Sequence, residues 1–96
     1  MEKNTENEIK ISEPAKNENK IAVVALIVKN PQAVETVNAV LHEYRDYVIG
    51  RMGLPYRAKE LSVISVVMDA PHSVINAASG KLGNIQGVKS QVLTTK

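Results

Sequence analysis

The chain has 96 residues, with twelve Lys and Arg against ten Asp and Glu and a formal charge of +2, and it is 44% hydrophobic and 23% charged. A chain of this length holds one small domain, which argues against a two-domain enzyme with a cleft between its halves. The absence of Cys excludes disulfides, thiolate nucleophiles, iron–sulfur ligation and thiolate zinc sites, so a metal would have to rest on His42, His72 and carboxylates.

Residues 1–19 carry Glu2, Glu6, Glu8, Glu13 and Glu18 against Lys3, Lys10 and Lys16, with four Asn and only Ile9 and Ile11 as large aliphatics beyond Met1. Such a segment cannot bury enough apolar surface to offset its ordering entropy, and a flexible tail is expected. It shows no basic start followed by an apolar stretch, so no secretory signal is read and a cytoplasmic location is expected. No apolar run approaches the ~18 to 20 residues of a membrane span. Residues 20–96 form the single folded domain of this reading, with nine Lys and Arg against five Asp and Glu scattered along it.

Ile21 to Val28 is eight consecutive apolar residues, mostly β-branched and stopped by Lys29-Asn30-Pro31; this predicts a strand buried on both faces. Asn30 as N-cap and Pro31 at the first helical position predict a helix to about Arg45, with Val34, Val37, Leu41 and Tyr44 on one stripe. Val48 to Arg57 contains Gly50, Gly53 and Pro55, which suit an edge strand better than a central one. After a turn at Ala58-Lys59-Glu60, Leu61 to Met68 predicts another central strand. Asp69 and Pro71 open a second helix with Val74, Ile75, Ala78, Leu82 and Ile85 at helical period, which Gly87 ends before a last strand over Val88 to Thr95.

The order βαββαβ predicts a ferredoxin-like α+β fold: a four-stranded antiparallel sheet, first and third strands central, with both helices on one face. That arrangement leaves the other face bare. Ile21, Val23, Ala25 and Ile27, or else their alternates, would then be wet, and a partner sheet is expected to cover them in a homo-oligomer, a dimer or larger.

Nucleic-acid readings of such a fold fail on particular residues. RNA recognition needs aromatic platforms on the central strands, yet there is no Phe or Trp, and Tyr44, Tyr47 and Tyr56 all fall elsewhere. Gly80-Lys81-Leu82-Gly83 imitates a GxxG phosphate clamp, but a strand rather than a second helix follows it. A Walker loop is excluded because Leu82, not Ser or Thr, follows Lys81. Gln86-Gly87-Val88 imitates the acylphosphatase signature at the wrong place in the fold and without the Arg. At helical spacing from His42 and His72 stand Asn38, Asp46, Ile75 and Asn76, which make weak metal partners or none, and both histidines read as solvated; no catalytic constellation, metal site or cofactor is expected.

Two segments stand out, Arg51-Met52-Gly53-Leu54-Pro55-Tyr56-Arg57 and Ser79-Gly80-Lys81-Leu82-Gly83-Asn84-Ile85-Gln86-Gly87-Val88. Together with the apolar first strand and Asn30-Pro31, they resemble the small proteins known as iron-only hydrogenase system regulators, over residues 20 to 95. The resemblance implies a fold similar to ACT domains and to the C-terminal domain of the nickel-responsive regulator, and hence a dimeric or tetrameric regulatory module. Without Cys, nickel sensing does not carry over, and Asn30-Pro31 stands where amino-acid-binding ACT domains commonly have Gly. A ribbon–helix–helix domain would need about 45 residues before Lys20, and nineteen precede it, so direct DNA binding is not expected.

The sequence therefore points to a non-enzymatic regulatory module that responds to a small-molecule effector or a partner protein. Arg51, Arg57 and Lys81 are the candidates for anionic contact, with Tyr56 beside them and Gly53 and Gly83 permitting close backbone approach. The rival reading is a structural interaction subunit or assembly factor with no ligand.

Overall fold

The computed structural model describes residues 18–95. The tail expected over residues 1–19 thus lies outside the described residues up to position 17, and Asn19 already belongs to a strand. The elements run β1 Asn19–Val28, α1 Ala33–Glu43, β2 Val48–Tyr56, β3 Leu61–Pro71, α2 His72–Gly83 and β4 Val88–Thr94, with short 3-10 turns at Arg45–Tyr47 and Arg57–Lys59. The sheet order is β2-β3-β1-β4, and every pairing is antiparallel. This is the ferredoxin-like split arrangement, with β1 and β3 central.

Period-two alternation decides which face of each strand meets the helices. On β1 the even positions Ala22, Val24, Leu26 and Val28 are at most 1% exposed. Matching them on β3 are Ile64, Val66, Met68 and Ala70. Against this face α1 sets Ala33, Val37 and Leu41, and α2 sets Ile75, Ala78 and Leu82, each three or four residues apart and therefore on one helical stripe. Both helices lie on this one face, and the core is the layer between.

The helix boundaries differ from the expected ones for local reasons. Pro31 does not begin α1. Asn30 Oδ1 accepts from the Gln32 backbone N–H at 3.1 Å, and the Asn30 carbonyl accepts from Ala33 N–H at 2.8 Å. Asn30 thus closes a turn ahead of the helix instead of capping it. α1 ends at Glu43, not Arg45, and the next residues tighten into a 3-10 turn. β3 runs on through Asp69 and Ala70, so α2 starts at His72 with Pro71 as its N-cap residue. The end of α2 comes at Gly83, four residues before the expected Gly87. Gly87 instead has φ +86 in the turn into β4, where its carbonyl accepts from Lys29 N–H at 2.8 Å.

β2 is the edge strand it was expected to be, and every residue after Val48 is exposed on both faces. Its pairing with β3 slips at Ile49: Val48 faces Met68 while Gly50 faces Val67, so Ile49 is the extra residue of a bulge. Beyond it, Arg51, Gly53 and Pro55 share the helix-side face, and Met52, Leu54 and Tyr56 share the other. Among the described residues no helix is long and apolar enough to cross a membrane.

Two glycines give opposite expectations. A methyl group added at Gly87 would come within 3.2 Å of Asn30 Cβ at a positive φ, whereas one added at Gly53 would meet nothing within 4 Å. Gly87→Ala should cost about 1 to 2 kcal/mol, measured by urea denaturation, while Gly53→Ala should be neutral or slightly stabilising in the same assay.

Candidate functional site

The larger candidate surface is the open face of the sheet, built in rows by the strand register. One row crosses Leu54, Val63, Ile27 and Lys89, the next Met52, Ser65, Ala25 and Gln91, and the third Gly50, Val67, Val23 and Leu93. Ile21 sits opposite Asp69, and Tyr56 opposite Leu61. The four residues singled out on β1, Ile21, Val23, Ala25 and Ile27, all point to this face, which settles the choice left open between them and their alternates. Around them Met52, Leu54, Val63 and Leu93 are 71%, 60%, 39% and 74% exposed. Apolar side chains on adjacent strands form one continuous surface, with a low, more polar line through Ser65, Ala25 and Gln91 across its middle.

The proposed contact residues go to three separate places. Arg57 and Tyr56 border a crevice of about 340 Å³ between the start of α1, the end of β2 and the start of β3, lined mainly by Val28, Pro31, Val34 and Pro55. Glu60 stands at the same rim in the left-handed region, with φ 54. Arg51 lies further along α1, in a second crevice with Asn38, His42 and Arg45. Lys81 is on the far helix, where its Nζ donates to Glu43 Oε2 at 2.9 Å and lies 5.5 Å from the centre of the Tyr44 ring. The hydrogen bond to Glu43, followed by the charge of that carboxylate and the nearby Tyr44, raises the Lys81 pKa above its ordinary 10.5. Gly53 faces open space, and Gly83 makes only ordinary contact, 3.7 Å from Ser90 Cβ to an added methyl group. Arg51, Arg57 and Lys81 therefore do not converge on one ligand.

Several residues were not assigned to these surfaces by sequence reading. Met52, Leu54, Val63 and Leu93 extend the open face, and alternation along each strand would have found them once the phase of β2 was known. Asn38, His42 and Arg45 meet Arg51 only because the fold sets α1 beside β2. The spacing of Asn38, His42 and Arg45 at four and three residues shows that they share a helix side, but nothing in the sequence tells that Arg51 faces it. Among the described residues no group of three or more His, Cys, Asp or Glu is gathered.

The split β–α–β pairing, two helices on one face and a bare apolar face opposite define a ferredoxin-like α+β domain. The chain belongs to the TM1266-like family, described as "Iron-only hydrogenase system regulator, putative", whose model matches residues 20–92. Among solved structures it is similar to the uncharacterized protein TM1266 from Thermotoga maritima, at 30% identity and a TM-score of 0.78, covering 82% of this chain and 100% of that one. Among curated proteins no match is found.

Because the folded-state pKa of Lys81 is raised, the Lys81–Glu43 pair contributes fully below the unfolded value and is lost as the pH climbs through the raised one. With the two side chains 50% and 56% exposed, the contribution is small. The difference in melting temperature between the protein and Glu43→Gln should therefore be small at pH 7 and vanish as the pH passes well above 10.5.

Proposed function

We propose that this chain is a non-enzymatic regulatory module of the iron-only hydrogenase system, that it works as a homo-oligomer joined through the open sheet face, and that it takes up a small effector or a partner protein. The observation that carries the reading is the open face itself. Ile21, Val23, Ile27, Met52, Leu54, Val63 and Leu93 are each at least 36% exposed and adjoin one another across four strands. An apolar surface this continuous marks an interaction site, and a second copy supplies the same pleated surface to pack against it at the ~10 Å spacing of stacked sheets. A two-fold arrangement of this kind uses the same patch on both subunits and closes on itself.

The family's description as a regulator supports the non-enzymatic part. Any transcriptional effect runs through a partner protein in this reading. α1 carries Glu35 and Glu43 and no Lys or Arg, and α2 carries Lys81 alone, already paired with Glu43. Neither helix has the clustered cations that phosphate contacts of a recognition helix require.

Light scattering after size exclusion should show a dimer or larger species at micromolar protein. Val23→Lys and Ala25→Asp, which place charge at the centre of the face, should yield monomer or insoluble protein; a clean wild-type monomer would end the proposal. Fluorescence anisotropy with DNA upstream of the hydrogenase genes should show no submicromolar affinity at ~150 mM salt, given that nonspecific binding lies at about 10⁻⁴ to 10⁻⁶ M. Thermal shift separates a regulator from an assembly factor without ligand, since an effector raises the melting temperature by mass action and a scaffold answers only to its protein partner.

A further inference from the structure

The second crevice lies on the helix side of the sheet, away from the open face. α1 and β2 do not close against each other, and a space of about 290 Å³ opens between them, lined by Asn38, Leu41, His42, Arg45, Val48 and Arg51. Leu41 and Val48, which belong to or pack on the core, give it an apolar floor. Its walls bring together two guanidinium groups and an imidazole, with no carboxylate among the lining residues.

Each guanidinium group already makes one hydrogen bond to α1. Arg51 reaches from β2 across to α1 and donates from Nη2 to Asn38 Oδ1 at 2.7 Å. Arg45 turns back over the end of the helix and donates from Nη1 to the His42 carbonyl at 2.9 Å. A guanidinium has five N–H donors, and these contacts take one from each. Among the described residues Lys81–Glu43 is the only ion pair, so neither arginine is neutralised there. Helix-end electrostatics explain Arg45, because a cation is favoured beside the last carbonyls. They do not explain Arg51, which comes from another element and is anchored to a neutral amide.

We propose that this crevice binds a phosphate group, as inorganic phosphate or as a phosphate monoester, between the Arg45 and Arg51 guanidinium groups, with His42 and the Asn38 side-chain amide as further donors. A carboxylate offers two oxygens, which one guanidinium fork can satisfy; a phosphate dianion offers three terminal oxygens and the charge to occupy both forks. Because each guanidinium already makes one hydrogen bond at the crevice, part of the ordering precedes the ligand. As an effector site it deepens the regulatory reading above and rests on it for its purpose. Binding itself is independent of the open face and can be measured whether or not the protein assembles.

Isothermal titration calorimetry of the full chain at constant ionic strength, with inorganic phosphate, glycerol 3-phosphate and acetate as probes, tests this. Saturable binding of one phosphate per chain is expected, with a dissociation constant of about 1 mM or below. Tighter binding of glycerol 3-phosphate than of phosphate identifies a monoester as the ligand, and equal binding identifies the free ion. Arg45→Gln and Arg51→Gln should each weaken binding about tenfold or more, Lys59→Gln should leave it unchanged, and acetate should give no saturable heat. In nitrogen-15 spectra of the unaltered protein, phosphate should shift the amides around Asn38, His42, Arg45 and Arg51, a readout that survives if a variant fails to fold. No saturable binding, shifts centred elsewhere, or equal loss in Lys59→Gln would overturn the assignment.

Discussion

The structure depends on one pairing, β1 against β3. Ten consecutive residues from Asn19 to Val28 match Pro71 back to Ser62 without a slip, and both strands are central in the sheet. Since side chains alternate, this one register fixes which half of each strand meets the helices and which half faces outward. The inner half holds Ala22, Val24, Leu26 and Val28 against Ile64, Val66, Met68 and Ala70, and both helices dock there through their own buried stripes. A shift of one residue would turn one strand over against the other, and with β1 held in place Ile64, Val66, Met68 and Ala70 would give way to Ser65 and Asp69 with their neighbours under the helices. The polar residues of β3, Ser65 and Asp69, therefore pin the register even though most of both strands is apolar.

The same alternation produces the functional problem of the fold. A strand buried on both sides needs two coverings, and the two helices supply one. The outer half of β1 is as apolar as the inner half, and β2, β3 and β4 add Met52, Leu54, Val63 and Leu93 to it. β2 adds a different property. Uncovered on either face, it stands beside α1 without packing on it, and that gap is where Arg51 meets Asn38, His42 and Arg45. The two surfaces use opposite faces of β2, Met52 and Leu54 on one and Arg51 on the other.

Much of this was legible in the residues. Eight uninterrupted apolar positions from Ile21 could only be a central strand, and Gly50, Gly53 and Pro55 placed β2 at an edge. The face assignment of β1 was not legible, because Ile21 to Val28 carries no polar residue to mark the outside; Ser65 and Asp69 on its partner carry that information, through pairing. Asn30 misled the reading of α1 because Asn serves equally as a helix cap and as the first residue of a turn, and Pro31-Gln32 takes the second role. Two glycines near the end of α2 could each have stopped it; Gly83 does, and Gly87 answers a different need, the tight approach to Asn30. The contact residues were harder still. Arg51, Arg57 and Lys81 share a charge but sit on different elements, and no sequence spacing reports the distance between them.

The place of β4 has a consequence for how the chain comes to be folded. It pairs with β1 from the opposite end of the domain, matching Ala22 to Thr94 and Val28 to Val88. One of the two neighbours of the central strand thus follows every other element of the domain in the chain. Until it leaves the ribosome, β1 has an unpaired edge as well as an uncovered face, and closing it requires joining segments about 70 residues apart, an entropic cost that slows folding. Completion of the sheet therefore waits for the last strand of the domain, and until then its most β-prone segment is unprotected in the nascent chain.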